Sequence, residues 1–263
     1  MPPSRGLVQF RSPRRDSACP APFRGQAPTI VGIAHAGAGA ALFADWAADL
    51  PEWLGVLAVR LPGRESRLRD APRRDLGELA AETAEDLGGW FTEHPGPFAL
   101  YGHCFGALLG FDAIKCLSQV GDLAPTRLFA ASCMPPSLVG KLPAISHLRG
   151  SQLQESLTAF GPPVPEELMA LCEPAIRADL HAMEHRQSRF DDVIDAPITV
   201  FRGSYDAAHP IADLLHWRTH TRGSFEFRQL AARHHLLPEG KQALLGLLIS
   251  ALSADHPAQS GPS

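Results

Sequence analysis

The chain has 263 residues, 45% of them hydrophobic and 20% charged, which suits one α/β domain with a sizeable core, with or without a small cap. A net charge of −4 gives no global case for nucleic-acid binding. No apolar run approaches the roughly 18 residues of a membrane span, and the N-terminal arginines precede no apolar signal-peptide core, so a cytoplasmic protein is expected.

Residues 1–28 are rich in Pro, Arg and Ser and are expected to be mostly disordered. Thr29–Ala34 reads as a short buried strand that ends in the small-residue loop His35-Ala36-Gly37-Ala38-Gly39. A helix is expected near 41–50 and a strand near 55–61, followed by Leu61-Pro62-Gly63-Arg64-Glu65 and an arginine-rich loop. Leu76, Leu79, Ala80, Thr83, Ala84, Leu87 and Phe91 keep helical spacing, which predicts an amphipathic helix from Asp75 to about His94.

Phe98-Ala99-Leu100-Tyr101 then runs into Gly102-His103-Cys104-Phe105-Gly106, and a helix-forming stretch follows at once. Strand, Gly-x-Cys-x-Gly and helix outline a nucleophile elbow, a sharp turn that carries the attacking side chain at its tip. The strained tip requires small residues two positions to either side, where Gly102 and Gly106 stand. Ser is the usual occupant of the tip; here it is Cys104.

A strand over 128–132 follows, and no strand is evident over about 141–195. Helical pieces near 151–160 and 174–189, separated by Gly161-Pro162-Pro163, make this a helical lid insertion. Ile198–Phe201 returns to the sheet and leads to Gly203-Ser204-Tyr205-Asp206. A helix near 211–219, a strand over 225–228, the loop Ala231–His235 and a last helix over about 236–252 complete the domain, with a loose tail over 253–263. The expected organisation is therefore a disordered segment 1–28, a domain 29–252 and the tail. Strands alternating with helices imply a mostly parallel sheet, with ligands at the carboxyl ends of the strands. His35, Cys104, Cys133, Asp206 and His234 all follow strands and should converge on one rim.

The order Cys104, Asp206, His234 is the nucleophile–acid–base order of α/β-hydrolases. His234 would take the thiol proton, and Asp206 would fix the imidazole tautomer. His235 competes with His234 for the base, with His234 preferred. A helix N-terminus and a nearby protonated histidine are expected to lower the thiol pKa from ~8.5. The backbone N–H of Phe105 and one from the His35–Gly37 loop would hold the oxyanion.

These motifs resemble the type II thioesterases that serve polyketide and nonribosomal peptide synthesis. That family carries Pro-x-Ala-Gly-Gly, Leu-Pro-Gly-Arg-Glu, Gly-His-Ser-Met-Gly-Ala, a lid Arg-Ala-Asp, Gly-x-x-Asp and His-Phe-Phe-Leu. In the same order the chain has Ala34-His35-Ala36-Gly37-Ala38, Leu61–Glu65, Gly102–Ala107, Arg177-Ala178-Asp179, Gly203–Asp206 and His234-His235-Leu236-Leu237. The resemblance spans about 29–252. It implies an α/β-hydrolase fold with a helical lid, a triad of Cys104, Asp206 and His234, and oxyanion positions Ala36 and Phe105. It also implies acyl groups delivered on the phosphopantetheine of acyl or peptidyl carrier protein domains. No cofactor or metal of the chain's own, no nucleic-acid or membrane partner, and a monomer are expected.

Three positions depart from the family pattern: Ala34 for Pro, Phe105 for Met and Cys104 for Ser. An acyl group on Cys is a thioester like the carrier's own, so transfer to another carrier thiol is nearly isoenergetic. Hydrolysis and a dedicated acyl or aminoacyl shuttle therefore both stand as outcomes. His181-Ala182-Met183-Glu184-His185 matches a His-x-x-Glu-His zinc pattern, without a third ligand in view. A non-catalytic carrier-binding protein is the other rival, opposed by the retained Asp206 and His234. Arg60, Arg64, Arg67, Arg69, Arg73 and Arg74 suggest a docking patch for an acidic carrier protein or its phosphopantetheine phosphate, against a solvated loop partly neutralised by Glu65, Asp70 and Asp75. Cys133 is expected near Cys104.

Overall fold

Among the described residues, seven short strands build a single sheet, the central ones from β-branched, aromatic and small apolar residues and the two edge strands with polar residues interleaved. They are β1 (Leu7–Arg11), β2 (Thr29–Ile33), β3 (Gly55–Val59), β4 (Phe98–His103), β5 (Leu128–Ala131), β6 (Ile198–Gly203) and β7 (Phe225–Leu230). The spatial order is β1-β3-β2-β4-β5-β6-β7. Strands β2 to β7 run parallel, and β1 pairs antiparallel with β3 through Leu7 and Val59. The structure is a computed structural model and describes residues 5–14, 23, 26–120, 123–187, 192–237 and 239–255.

The helices are α1 (Trp46–Asp49), α2 (Leu76–Glu93), α3 (Phe105–Val120), α4 (Gly150–Leu157), α5 (Glu166–Glu184), α6 (Ile211–Leu214) and α7 (Lys241–Asp255). Successive strand residues face opposite sides. Thus Val31 and Leu100 join Leu79 of α2 and Leu108 of α3 in one core. Ile30, Ala99 and Phe129 join Leu244 and Leu248 of α7 in the other. Every residue of β2, β3, β4 and β5 is buried, which is why these strands read as continuous apolar runs. Helix α2 starts where expected, because the Asp75 side chain accepts the Glu78 N–H at 2.9 Å.

Several expectations need correction. Residues 7–11 are a paired edge strand, although they fall in the segment read as disordered; residues 1–4, 15–22 and 24–25 lie outside the described residues. The helix expected over 41–50 is a 3₁₀ turn, Ala40–Phe43, followed by α1. Lid helix α5 begins at Glu166 and continues through Pro174, which the sequence suggested as its start. The last helix reaches Asp255, whose carboxylate pairs with Arg127, so the tail reading fails for 253–255. Residues 256–263 lie outside the described residues. No helix among the described residues is long and apolar enough to cross a membrane.

Candidate active site

Cys104 stands between the end of β4 and the start of α3 with φ of 50°, a left-handed conformation rare for a residue with a side chain. The turn is held by Cys104 N–H to the Ala131 carbonyl at 2.8 Å and Ala107 N–H to the Cys104 carbonyl at 2.9 Å. A Cβ on Gly102 would lie 2.3 Å from Ala107 Cα, and one on Gly106 would lie 2.2 Å from the Ile33 carbonyl oxygen. Both glycines are thus required by close backbone approach, as the elbow pattern implied.

Asp206 follows β6 and is buried. Its Oδ1 accepts the Ala208 N–H at 2.9 Å, and its Oδ2 lies 3.1 Å from His234 Nδ1. A second imidazole, His209, reaches the same oxygen through Nδ1 at 3.2 Å. Burial by itself would raise the Asp206 pKa. Hydrogen bonds from His209 and His234 outweigh it and hold the carboxyl well below the usual range. An ionised carboxylate only accepts, so both histidines donate from Nδ1 and His234 keeps Nε2 as a lone-pair nitrogen. Burial also lowers the His234 pKa, against the raising effect of Asp206.

Of the neighbours His234 and His235, His234 is the one joined to Asp206. Its neighbour His235 instead packs against His35, with ring centres 4.7 Å apart. Burial, with neighbouring imidazoles, takes His235 down to about 3 and His35 to about 4. The Cys104 thiol does not follow its expected direction. Burial pushes it up to about 12, the Asp206 charge adds to this, and a hydrogen bond from the Phe105 backbone offsets only part. Both shifts favour the uncharged forms, thiol for Cys104 and neutral imidazole for His234.

Cys104, His209 and His234 line one cavity of about 580 Å³, roofed by the lid. Its wall is largely apolar and includes Leu142, Leu157, Val164, Ile176, Leu180 and Met183. Ala36 also faces this cavity, and Phe105 is buried beneath the turn. A second cavity of about 670 Å³ shares His35, Phe160, His234 and His235 with the first and adds Thr158, Tyr205 and Arg233. His234 thus sits in the partition between an apolar chamber and a more polar one.

The family model described as thioesterase domain matches residues 28–252. The chain belongs to the thioesterase family. It is 30% identical to linear gramicidin dehydrogenase LgrE of Brevibacillus parabrevis over 228 residues, covering 84% of this chain and 86% of that protein. It is 28% identical to the gramicidin S biosynthesis protein GrsT of Aneurinibacillus migulanus over 225 residues, covering 84% and 87%. Among solved structures, the type II thioesterase BorB from the borrelidin biosynthetic cluster superposes with a TM-score of 0.82 at 28% identity. It covers 94% of this chain and 97% of BorB. The α/β-hydrolase architecture is shared with these thioesterases.

Within this thioesterase frame, other sequence readings change. Arg64 is not a surface cation: its guanidinium is buried against Asp179 of α5. Arg67 pairs with Asp70 and Glu82, Arg73 with Glu78 and Glu82, and Arg60 donates to the Arg5 carbonyl. The six arginines therefore do not form one cationic patch; Arg69 and Arg74 are exposed. His181 and His185 stack on each other at 3.8 Å, and Glu184 accepts the Ile145 and Ser146 N–H groups. No third ligand joins those histidines among the described residues. Cys133 follows β5, beside the elbow; both thiols are free, and Cys133 donates to the Met134 carbonyl at 3.2 Å. The residue that sequence reading missed is His209. Its signal was the spacing Asp206-x-x-His209, too short-range to be noticed beside a partner 28 positions away.

Proposed function

We propose that the protein is a type II thioesterase-like acyltransferase or hydrolase of polyketide or nonribosomal peptide biosynthesis, acting through an acyl-Cys104 intermediate on acyl groups presented by carrier domains. The observation that carries this reading is the thiol of Cys104 on a strained elbow, lining one apolar cavity with His234, the imidazole that Asp206 holds from behind. The acyl chain lies in the apolar chamber.

The chemistry follows from the resting protonation states. His234 Nε2 removes the Cys104 proton as sulfur attacks the thioester carbonyl. The Phe105 and Ala36 N–H groups receive the developing oxyanion, an interaction of a kind typically worth ~10²–10³ in rate. The tetrahedral adduct collapses by breaking the bond to the pantetheine sulfur, which takes the proton from His234. Acyl-Cys104 and a free carrier thiol result. A second acceptor then delivers its proton to His234 and attacks the acyl carbonyl. Water yields the free acid, and another carrier thiol yields a new thioester, with Cys104 restored in both cases.

The thiol supports transfer as well as hydrolysis, since acyl-Cys104 keeps the donor's transfer potential and the lidded apolar chamber limits water. Intact mass spectrometry after incubation with an acyl-loaded donor carrier and an empty acceptor carrier is the deciding experiment. An acyl adduct on the wild-type protein that is absent from Cys104→Ala supports the reading. Turnover without any Cys104-dependent adduct overturns it. Appearance of acyl acceptor marks transfer, and free acid alone marks hydrolytic release.

A further inference from the structure

Two segments far apart in sequence, Leu61–Glu65 and Arg177–Asp179, meet beneath the loop that carries Ala36. Arg64 donates Nη1 to Asp179 Oδ2 at 2.8 Å and Nη2 to Asp179 Oδ1 at 2.9 Å. The side chains are 7% and 1% exposed, so the pair is shielded from solvent. The same Asp179 Oδ2 accepts the Gly37 N–H at 2.8 Å, and Arg64 Nη1 also donates to the Ala38 carbonyl at 3.1 Å. One turn earlier on α5, Ile176 occupies the space a Gly37 side chain would need, with its Cγ1 2.2 Å from an ideal Cβ. Gly37 has φ of 77°, so its amide faces Asp179 in a conformation that favours glycine. At the far end of the loop, Glu65 Oε1 accepts the Ala41 N–H at 2.8 Å.

We infer that Asp179 is a positioning residue for the oxyanion loop, fixing the Ala36 amide from the lid through Gly37 and Arg64. The inference rests on the proposed assignment of Ala36 as an oxyanion donor. Asp179 does not line the cavity and touches no reacting atom. Its carboxylate ties the adjacent peptide to α5, so the donor's direction follows the seating of the lid helix. The lid helix and the loop then move as one body. Substrate access falls to α4 and the Gly161–Pro163 stretch, which lack such a tie to the loop among the described residues. A preorganised donor accelerates the chemical step without strengthening ground-state binding, so its loss should lower the rate constant and leave KM nearly unchanged.

The test compares two charge-free replacements of the pair, because removing one member alone leaves a buried unpaired charge. R64Q/D179N keeps a side-chain oxygen for the Gly37 N–H, and R64M/D179L removes it. Single-turnover acylation of Cys104 by a small acyl-pantetheine thioester is followed by intact mass. R64Q/D179N is expected within about fivefold of wild type, and R64M/D179L about 100-fold slower with KM within about threefold. Equal acylation rates in the two folded variants overturn the inference. A second readout uses the wild-type protein alone: the Gly37 amide should exchange hydrogen as slowly as the mid-helix amides of α5. Free exchange at Gly37 also overturns it. If wild type forms no adduct at all, the acyl-Cys reading fails instead, while the exchange measurement still judges the clamp.

Discussion

His209 and His234 donate to the same oxygen of Asp206, at 3.2 and 3.1 Å, with their rings stacked 5.2 Å apart. Asp206 therefore divides its charge between two imidazoles. Around His234 also stand His35, His103, His235 and Phe160, with Cys104 on the cavity wall. His234 acts as a base only when neutral, so kcat/KM should fall as pH drops through its pKa. Replacing His209 with Phe leaves the whole carboxylate to His234 and removes a neighbour that lowers its pKa. The acid limb should then move to higher pH, by about one unit. A pH profile on a small acyl thioester checks this, and an unmoved limb would make His209 a packing residue only.

The raised thiol pKa of Cys104 predicts its reagent chemistry. Only the thiolate alkylates. Far below a pKa of about 12, its fraction grows tenfold per pH unit. Iodoacetamide labelling of Cys104 should thus climb steadily from pH 7 to 10 without levelling. A plateau near neutrality would reveal a preformed thiolate–imidazolium pair. Because His234 must take the proton in either case, Cys104→Ser should still accept acyl groups. Its oxygen ester should pass them to thiol acceptors more slowly than wild type does, as acceptor-carrier assays would record.

Glycine substitutions should separate the elbow from ordinary surface. Gly102→Ala or Gly106→Ala forces a methyl into backbone atoms at 2.3 or 2.2 Å. Either should cost about 3 kcal/mol or more, or prevent folding. Gly88 and Gly89 lie within α2, and an added Cβ there meets nothing within 4 Å. Alanine at each should instead stabilise by about 0.5–1 kcal/mol. Thermal melts of the four single variants measure the contrast.

The apolar chamber predicts chain-length control. Met183 is buried at its wall, on the face of α5 that turns toward Cys104. Met183→Trp would shorten the space available to a long acyl chain. KM for a medium-chain acyl thioester should rise about tenfold, the scale of a few lost methylene contacts, while acetyl thioester kinetics stay near wild type. A steady-state series over acyl length reads this directly.

The parallel sheet and the elbow were legible because their signals are local. Buried strands are short apolar runs, and the elbow glycines stand at fixed offsets from Cys104. The arginine-rich loop misled because charge counts ignore partners: Arg64 finds Asp179 115 positions later. Residues 7–11 hid among prolines and arginines, since an edge strand needs only one good face and Leu7 is its only buried hydrophobic residue. Pro174 looked like a helix start because proline suits first turns. Packing of Ala175, Ile176 and Leu180 sustains α5 across it. The thiol direction was missed because burial, the largest influence, is not visible in a motif.

Strand β1 also bears on self-association. It covers the outer edge of β3, and its Arg11 guanidinium donates to the carbonyls of Ala47, Leu50, Pro51 and Leu54. A chain trimmed to 29–252, the limits its motifs suggest, would keep every residue of the proposed triad. It would also bare one edge of β3, a fully buried run of Gly-Val-Leu-Ala-Val, leaving the ladder groups that face β1 unpaired while β2 holds the other side. Such an edge is a template for a second copy. Leu7–Arg11 thus acts as a built-in guard against self-association, and its removal should appear as aggregation before it appears as lost chemistry.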